Sequence, residues 1–284
     1  METVFAIGFD TLSFVLTLLL VTLGLVVIYG MMNVINMAHG ELFLLGAYTL
    51  VAVQEAGGSF WAGLLLAPLM VGVAGLLIEQ FVIRHVYGRA IDTILATWGI
   101  SIALKQGIII LFGPAAISVS NPFPGAAHIF VFDYPAYRLF IMAISALLAA
   151  ATYLLLYATS LGLQIRGVIA NRAMASALGI NTRLMDRGTF AAGAALAGIA
   201  GAVMAPIMSV DPQMGVGFLI PAFLAVLVGG LNSLVGATFG AGIIGGATTT
   251  LSSVMSQAMA QIAVFALAII IIRLFPAGLS KRQR

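Results

Sequence analysis

Long apolar runs, separated by short polar segments, follow one another along almost the whole chain. A helix needs about 20 apolar residues to cross the hydrocarbon layer of a membrane. Strands of a membrane barrel would alternate apolar and polar residues, whereas runs such as 263–272 are apolar on every side. We place helical spans at 11–31, 40–54, 60–80, 93–112, 138–158, 189–209, 215–231, 234–252 and 256–275. The pattern predicts an all-α fold, a polytopic transmembrane helical bundle of about eight to ten spans.

Two regions depart from uninterrupted helix: span 40–54 is short, and the run 215–252 is rich in glycine. We therefore expect at least one broken or re-entrant helix. Just before and at the start of the short span, the polar residues Asn33, Asn36, His39 and Glu41 interrupt the apolar pattern, and Gly40 permits a sharp break. At membrane depth these residues must face a cavity, whereas at the inner surface the segment is merely a turn. We favour the cavity, because the following span is too short to begin at the interface.

Small residues recur at every fourth position in two of the runs. The first series is Gly193, Ala197, Gly201 and Ala205, and the second is Ala237, Ala241 and Gly245. Such stripes allow neighbouring helix backbones to approach closely in lipid, so we interpret them as packing surfaces.

The composition supports a membrane protein and excludes a soluble one. Hydrophobic residues make up 62% of the chain and charged residues 7%, with a mean hydropathy of +1.16. Soluble domains contain roughly 45–50% apolar and about 25% charged residues. We expect one transmembrane domain over 1–284, whose first apolar run is retained because the basic residues of a cleaved signal peptide are missing before it.

The basic residues are unevenly distributed between the predicted loops. With nine crossings, the inner loops carry Arg84, Arg89, Arg166, Arg172, Arg183, Arg187, Arg273, Lys281, Arg282 and Arg284. The outer loops keep only Arg138. The positive-inside rule then predicts an N-terminus outside and a C-terminus in the cytoplasm. Because the net charge is only +3 and topology explains it, we expect no nucleic-acid partner.

A lysine lies inside the predicted span 93–112, where a cation at the bilayer centre costs about 2.5–3.5 kcal/mol. At four-residue spacing, Thr97, Ser101 and Lys105 share one helix face, with Trp98 and Gln106 beside them. One interpretation makes this face the border of a polar pathway. In the other, Lys105 reaches the interface or pairs with a carboxylate on a neighbouring helix.

The segment 160–188 is the longest polar stretch on the predicted inner side. It holds four arginines, one aspartate and a short helical pattern that ends at Gly179. One hypothesis makes it a docking surface for a cytoplasmic partner. The other makes it a basic amphipathic helix that lies on anionic membrane lipid.

Catalytic motifs are missing from the sequence. The only lysines are Lys105 and Lys281, and neither follows a glycine as in a phosphate-binding loop. The chain contains no cysteine, and its three histidines are isolated, so we expect no metal site and no cofactor. The sequence therefore predicts a protein that is not an enzyme. Any nucleotide hydrolysis that drives it would be carried out by another polypeptide.

Four stretches, in order along the chain, resemble the membrane subunits of branched-chain amino acid ABC importers, including the urea and short-chain amide permeases. They read GLVVIYGMMNVINMAHGELFLLGAY, LATWGISIALKQ followed by LFGP, LGLQIRGVIANRAMASALGINT and AVLVGGLNSLVGATFGAG. The resemblance implies one half of an importer in the cell inner membrane. Its partners would be a second permease subunit, two cytoplasmic ATPases that hold ATP and magnesium, and a periplasmic solute-binding protein.

The resemblance also assigns roles to residues and favours docking for the segment 160–188. The ATPase-coupling residues would be Arg166, Asn171, Arg172, Ala173, Met174, Ala175, Gly179 and Ile180. The acidic anchor of the wider coupling motif is missing before Gly179, so contact would rest on apolar packing and Arg172. Where relatives carry a glutamine pair, this chain has Lys105 and Gln106, and a cation there would suit a solute with a carboxylate.

Two solute classes and two other functions remain open. NRAMA and ATWG are closest to the urea and amide branch, while the other motifs fit amino acid carriers equally well. The competing functions are a secondary transporter or channel that works alone, and a membrane scaffold without transport.

Overall fold

The computed structural model describes residues 2–129, 132–231, 233–276 and 278–279, and within them eleven α-helices and one small hairpin. The helices are α1 (Glu2–Met32), α2 (His39–Glu55), α3 (Phe60–Phe81), α4 (Ala90–Phe112), α5 (Ala136–Ala158), α6 (Ser160–Ala170), α7 (Arg172–Ala177), α8 (Thr182–Met204), α9 (Met214–Gly229), α10 (Leu234–Ser252) and α11 (Gln257–Leu274). A short 3-10 helix, Ile83–His85, follows α3. Strands β1 (Ala126–Ile129) and β2 (Phe132–Pro135) pair antiparallel, with Ala126 opposite Pro135.

The all-α bundle is confirmed, and a helix occupies each of the nine predicted spans. Seven helices of the described residues are long and apolar enough to cross a membrane: α1, α3, α4, α5, α8, α10 and α11. The other two, α2 and α9, have 17 and 16 residues, or about 24–26 Å at 1.5 Å per residue. Both are shorter than the roughly 30 Å hydrocarbon layer.

The predicted span 189–209 is displaced by several residues, because α8 occupies Thr182–Met204. The span predicted from hydropathy left out the first two turns of α8, because Arg183, Asp186 and Arg187 in these turns are charged. Ion pairs with other helices hold the last two of these side chains in place. After Met204 the helix ends before Pro206, which lacks the backbone donor that a helix interior requires.

Residues 33–38 form a non-helical break between α1 and α2. At its start, Asn33 takes a φ of 54°, and its N–H donates to the Tyr29 carbonyl at 2.7 Å. This left-handed conformation ends a helix, and asparagine tolerates it better than other residues with a Cβ.

The break leads into the bundle rather than forming a turn at its surface, and the cavity that we expected beside it stays a prediction. His39, the first residue of α2, contacts the Val21 carbonyl, 11 residues before the end of α1 at Met32. That difference corresponds to about 16 Å along a helix. The chain therefore runs back beside α1 before α2 begins, and α2 starts well below the end of the bundle. The glycine-rich run 215–252, in contrast, forms two helices, α9 and α10, joined by a turn.

Helices α1, α2 and α3 surround α8 at points where glycine lets two backbones touch. A Cβ on Gly24 of α1 would lie 2.6 Å from the Gly193 carbonyl oxygen of α8. On α8, a Cβ at Gly201 would overlap the Phe43 carbonyl of α2, and one at Gly198 would lie 2.7 Å from Val71 of α3. The first predicted small-residue stripe, Gly193 to Ala205, is thus a packing surface.

The two ends of the bundle differ in structure. The hairpin end carries β1 and β2 and the paired residues Ile117 and Val210. At the same end, the Ser120 amide donates a hydrogen bond to Gln54 Oε1 at 3.0 Å. The α7 end carries α6, α7, the end of α1 and the 3-10 helix. The predicted inner residues Lys281, Arg282 and Arg284 lie outside the described residues.

Replacing Gly201 by alanine tests the close packing of α8. We expect Gly201→Ala to lower stability by about 1–3 kcal/mol, because the methyl group overpacks a backbone contact. Gly188→Ala, on the same helix, meets nothing within 4 Å and is the matched control. Thermal unfolding of both purified variants in detergent measures the difference. Equal midpoints for the two variants would contradict this packing.

Candidate functional site

A buried carboxylate lies in the first turn of α2, immediately after the break. Glu41 is 1% exposed, and its Oε1 accepts a hydrogen bond from Ser101 Oγ of α4 at 2.8 Å. The Lys105 ammonium, one helical turn further along α4, lies 3.5 Å from the same oxygen. The N-terminal turn of a helix also favours a negative charge. Helices α2 and α4 are thus joined by a polar contact inside the bundle.

The Lys105 side chain is 23% exposed and has a second partner. Its Nζ donates to Gln213 Oε1, next to the start of α9, at 3.3 Å. Of the two interpretations of Lys105, the structure shows pairing with a carboxylate on a neighbouring helix. The other interpretation, in which this face of α4 borders a polar pathway, stays a prediction.

His39 joins the start of α2 to the middle of α1. Its Nε2 lies 3.0 Å from the Val21 carbonyl, and the imidazole is fully buried. Because a carbonyl only accepts hydrogen bonds, Nε2 carries the hydrogen. In the neutral ring, Nδ1 is then an acceptor, and it has no partner among the described residues.

Thr97 holds the non-helical break against α4. Its hydroxyl accepts a hydrogen bond from the Met37 amide at 3.1 Å and donates to the Thr93 carbonyl at 2.8 Å. Within the break, Asn36 Oδ1 accepts from the Ala38 amide at 3.0 Å. Side chains thus satisfy two of the backbone amides that the missing helix leaves free, as a break at membrane depth requires.

Four buried polar atoms around the break lack a hydrogen-bond partner within the part of the chain that the structure describes. They are Asn36 Nδ2, His39 Nδ1, Glu41 Oε2 and Tyr48 OH. Burying such a group without a partner costs about 1–3 kcal/mol in proteins. The set lies along the break and α2 and contains both donors and acceptors.

The structure separates some predicted pathway residues from this site. It joins Glu41, Ser101 and Lys105, and it adds Gln213 to them. Thr97 contacts the Met37 amide of the break, Asn36 binds the Ala38 amide within the break, and His39 contacts Val21 of α1 instead. Trp98 and Gln106 are exposed on another side of α4, and Asn33 is exposed at the end of α1. Helical periodicity explains this, since residues one position apart point about 100° away from each other. Nothing in the sequence near Gln213 indicated its role, because 108 residues separate it from Lys105.

The predicted coupling segment consists of α6, α7 and the first turns of α8. Asn171 caps α7, with its Oδ1 accepting from the Met174 amide at 3.0 Å, and Gly179 ends the helical pattern with a φ of 86°. Among the predicted contact residues, Ala175 is buried and Ile180 is half-buried, whereas Ala173 and Met174 are exposed. Leu178, which the sequence interpretation did not include, is 75% exposed and extends this apolar surface.

The two arginines of the predicted coupling set already have partners within the chain. The Arg166 guanidinium lies 4.9 Å from the ring centre of Tyr157 at the end of α5. Arg172 forms an ion pair with the buried Asp186 of α8 and donates to the Met31 carbonyl at 3.3 Å. Apolar side chains therefore dominate the exposed part of α7, and Arg172 contributes to its anchorage.

A separate cavity of about 440 Å³ lies between α1, α5, α6 and α8. Its walls are almost entirely apolar and include Val27, Leu155, Ile165 and Leu196. None of the predicted pathway residues lines it, so it is distinct from the polar site.

The apolar helices and the polar centre at a broken helix define a multi-pass membrane protein of the transporter type. Residues 7–274 match the family model of the branched-chain amino acid transport system permease component, and the chain belongs to this family. The resemblance in the four sequence stretches is thereby confirmed.

Several curated relatives match most of the chain. It is 27% identical to the LivH permease protein of a high-affinity branched-chain amino acid transport system from Salmonella typhimurium, and 28% identical to LivH of Escherichia coli K12. Both matches cover 94% of this chain and 92% of the relative. The BraD permease protein of Pseudomonas aeruginosa is 28% identical over the same shares. No solved structure matches the chain.

A double-mutant cycle tests the contact between Glu41 and Lys105. Lys105→Met leaves a buried carboxylate without its cation, and breaking such a pair costs about 3–5 kcal/mol. We expect the double variant with Glu41→Gln to lose less stability than the two single losses together, by about 1 kcal/mol or more. The measurement is thermal or denaturant unfolding in detergent.

The exposed pair Arg89–Asp92, at 3.4 Å, provides the control cycle. An exposed pair contributes about 0–1 kcal/mol, so its coupling should be small. A Glu41–Lys105 coupling no larger than that of the control pair would contradict the contact.

Proposed function

We propose that this chain forms one half of the membrane pathway of an ABC importer for branched-chain amino acids. The observation that carries the proposal is the buried pair of Glu41 and Lys105 beside the broken helix. Membership of the permease family and the names of the relatives support the same solute class.

The pair has the charges that a zwitterionic amino acid requires. An ammonium at Lys105 can bind the solute carboxylate, and a carboxylate at Glu41 can bind the solute ammonium. Each group keeps its internal partner until the solute arrives, so no isolated charge remains in the bundle. Urea carries no charge and would not separate such a pair. We therefore favour an amino acid over urea or a short-chain amide.

The exposed surface of α7 supports docking to a cytoplasmic ATPase. Met174 and Leu178 are 58% and 75% exposed and lie four residues apart on one side of the segment. A basic helix on a lipid surface would instead direct its arginines outward, whereas Arg172 binds Asp186 within the bundle. Partner ATPases would hold ATP and magnesium and move α7, so the pathway would open alternately to the two sides.

The helix α4 supports pairing with a second permease subunit. It packs mainly against α2 and leaves Trp98 and Gln106 exposed on its other sides. The polar face of α4 therefore lies close to the edge of this chain. A second permease subunit would complete the pathway there, and a periplasmic binding protein would deliver the solute.

Single cysteines test the orientation, because the chain itself contains none. Ser118 lies at the hairpin end and Ser176 on α7, and both are exposed. Since the basic residues cluster at the α7 end, we expect that end in the cytoplasm. A membrane-impermeant maleimide should label Ser118→Cys in intact spheroplasts, and Ser176→Cys only after permeabilisation. The reverse pattern would contradict the proposed orientation.

Uptake of labelled leucine tests the transport function. The chain is co-purified with its partner subunits, reconstituted into vesicles, and supplied with binding protein and ATP. We expect ATP-dependent leucine uptake and none of urea. Lys105→Met should reduce it by about tenfold or more, since a charge-assisted contact contributes about 1.5–3 kcal/mol. Leu147→Met, on an exposed side of α5 and away from α4, should leave it unchanged.

The other outcomes distinguish the competing functions. Uptake of urea alone would place the chain in the amide branch and overturn the role of the ion pair. Flux through the chain reconstituted by itself, without ATP, would indicate a channel or secondary transporter. Unchanged uptake in the absence of this chain would leave it only a scaffold role.

A further inference from the structure

A second polar cluster, built around two buried carboxylates, lies at the α7 end, away from the Glu41–Lys105 pair. It consists of Glu79 of α3, Tyr87 of the segment before α4, Arg172 of α7, and Asp186 and Arg187 of α8. Glu79 is fully buried and Asp186 is 2% exposed. The two arginines, which are only partly buried, balance the charge of the two carboxylates and make the burial of the carboxylates tolerable.

Glu79 is the centre of one half of this cluster. Its Oε1 accepts a hydrogen bond from Tyr87 OH at 2.7 Å, and its Oε2 lies 3.5 Å from Arg187 Nε. Burial, together with the hydrogen bond to Glu79, raises the pKa of the Tyr87 phenol. Tyr87 therefore keeps its proton and remains a donor at physiological pH.

Arg172 is the centre of the other half and joins α7 to α1. Its guanidinium forms an ion pair with Asp186 and donates to the Met31 carbonyl at 3.3 Å. The last carbonyls of a helix lack an internal partner, and the negative end of the helix dipole attracts a cation. A residue of the predicted coupling helix thus caps the C-terminus of α1.

The two halves meet at the residue before the break. Tyr87 OH lies 3.5 Å from the Met32 sulfur, and Arg172 lies 6.0 Å from the centre of the Tyr87 ring. Asn33, the first residue of the break, follows Met32 directly. A movement of α7 that displaces Arg172 therefore acts on the last turn of α1, and through it on residues 33–38.

The cluster is only partly satisfied, which fits a contact that rearranges. Glu79 Oε2, Arg187 Nε and Asp186 Oδ1 are buried and have no hydrogen-bond partner among the described residues. A small shift of α8 against α3 would convert the 3.5 Å approach of Glu79 and Arg187 into a hydrogen bond. Elements with two such arrangements of similar energy are the ones that transmit conformational change.

We propose that Glu79, Tyr87, Arg172, Asp186 and Arg187 form a coupling latch, a set of positioning residues that transmit the movement of α7 to the broken helix. The latch rests on the proposed function, because it needs ATPases that move α7. In this proposal Arg172 transmits movement within the chain instead of contacting the ATPase. The other four residues of the latch lie outside the set that the coupling motif predicted. None of the five contacts the solute.

The test removes one hydroxyl group and measures the coupling of uptake to ATP hydrolysis. Tyr87→Phe keeps the ring beside Arg172 and deletes only the hydroxyl, which donates to Glu79 and contacts the Met32 sulfur. The complete transporter in vesicles, with binding protein, is assayed for leucine uptake and for phosphate release. We expect uptake per ATP hydrolysed to fall by about fivefold or more, while ATP hydrolysis stays near that of the unmodified transporter.

Two further variants make the result specific. Tyr153→Phe deletes a hydroxyl that joins α5 to the Leu234 carbonyl of α10, outside the latch, and should leave the ratio unchanged. Arg172→Lys keeps the charge but loses the planar fork that reaches both Asp186 and Met31, and should lower the ratio as Tyr87→Phe does.

Each outcome has a distinct meaning. An unchanged ratio in both latch variants would overturn the latch, and so would a parallel loss of uptake and hydrolysis, which indicates general structural damage. An unmodified transporter that hydrolyses ATP but takes up no leucine would overturn the proposed function instead.

Discussion

Contact between helix backbones at glycine is the interaction on which the rest of this structure depends. In lipid no hydrophobic force drives helices together, so close packing and polar contacts must hold the bundle. Gly24, Gly193 and Gly201 let α8 touch α1 and α2 at the backbone, and Gly198 lets the Val71 side chain of α3 pack against α8. This packing holds α2 deep in the bundle. The first residue of α2 therefore lies beside Val21 of α1 and not at the end of α1.

The deep start of α2 explains the polar centre. A helix that begins inside a membrane exposes backbone donors and polar side chains that water does not reach. Thr97 satisfies the amide of Met37, and Ser101 and Lys105 bind the carboxylate of Glu41. We propose the same groups as the solute site, and the broken helix and the polar centre are one structural feature.

The polar centre and the α7 end are joined through a single helix. Arg172 and Tyr87 contact the last two residues of α1, and the break starts with the next residue. A permease must transmit force over this distance without opening a continuous pore. The short helix α7 is anchored by the ion pair of Arg172 with the buried Asp186, and its exposed face is apolar. We propose that a partner attaches to this face and that the anchor transmits its movement to the pathway.

The sequence by itself determined the all-α membrane fold, the approximate positions of the membrane helices, the interruption at 33–38 and the family, because apolar length and local motifs are properties of consecutive residues. It also predicted the polar face of Thr97, Ser101 and Lys105, since helical periodicity relates nearby positions. Only the tertiary structure decided that Glu41 pairs with Lys105, that α8 begins at Thr182 and that Glu79 binds Tyr87. A charged residue can lie in or beside an apolar span only where a partner from another element meets it, and packing brings those elements together.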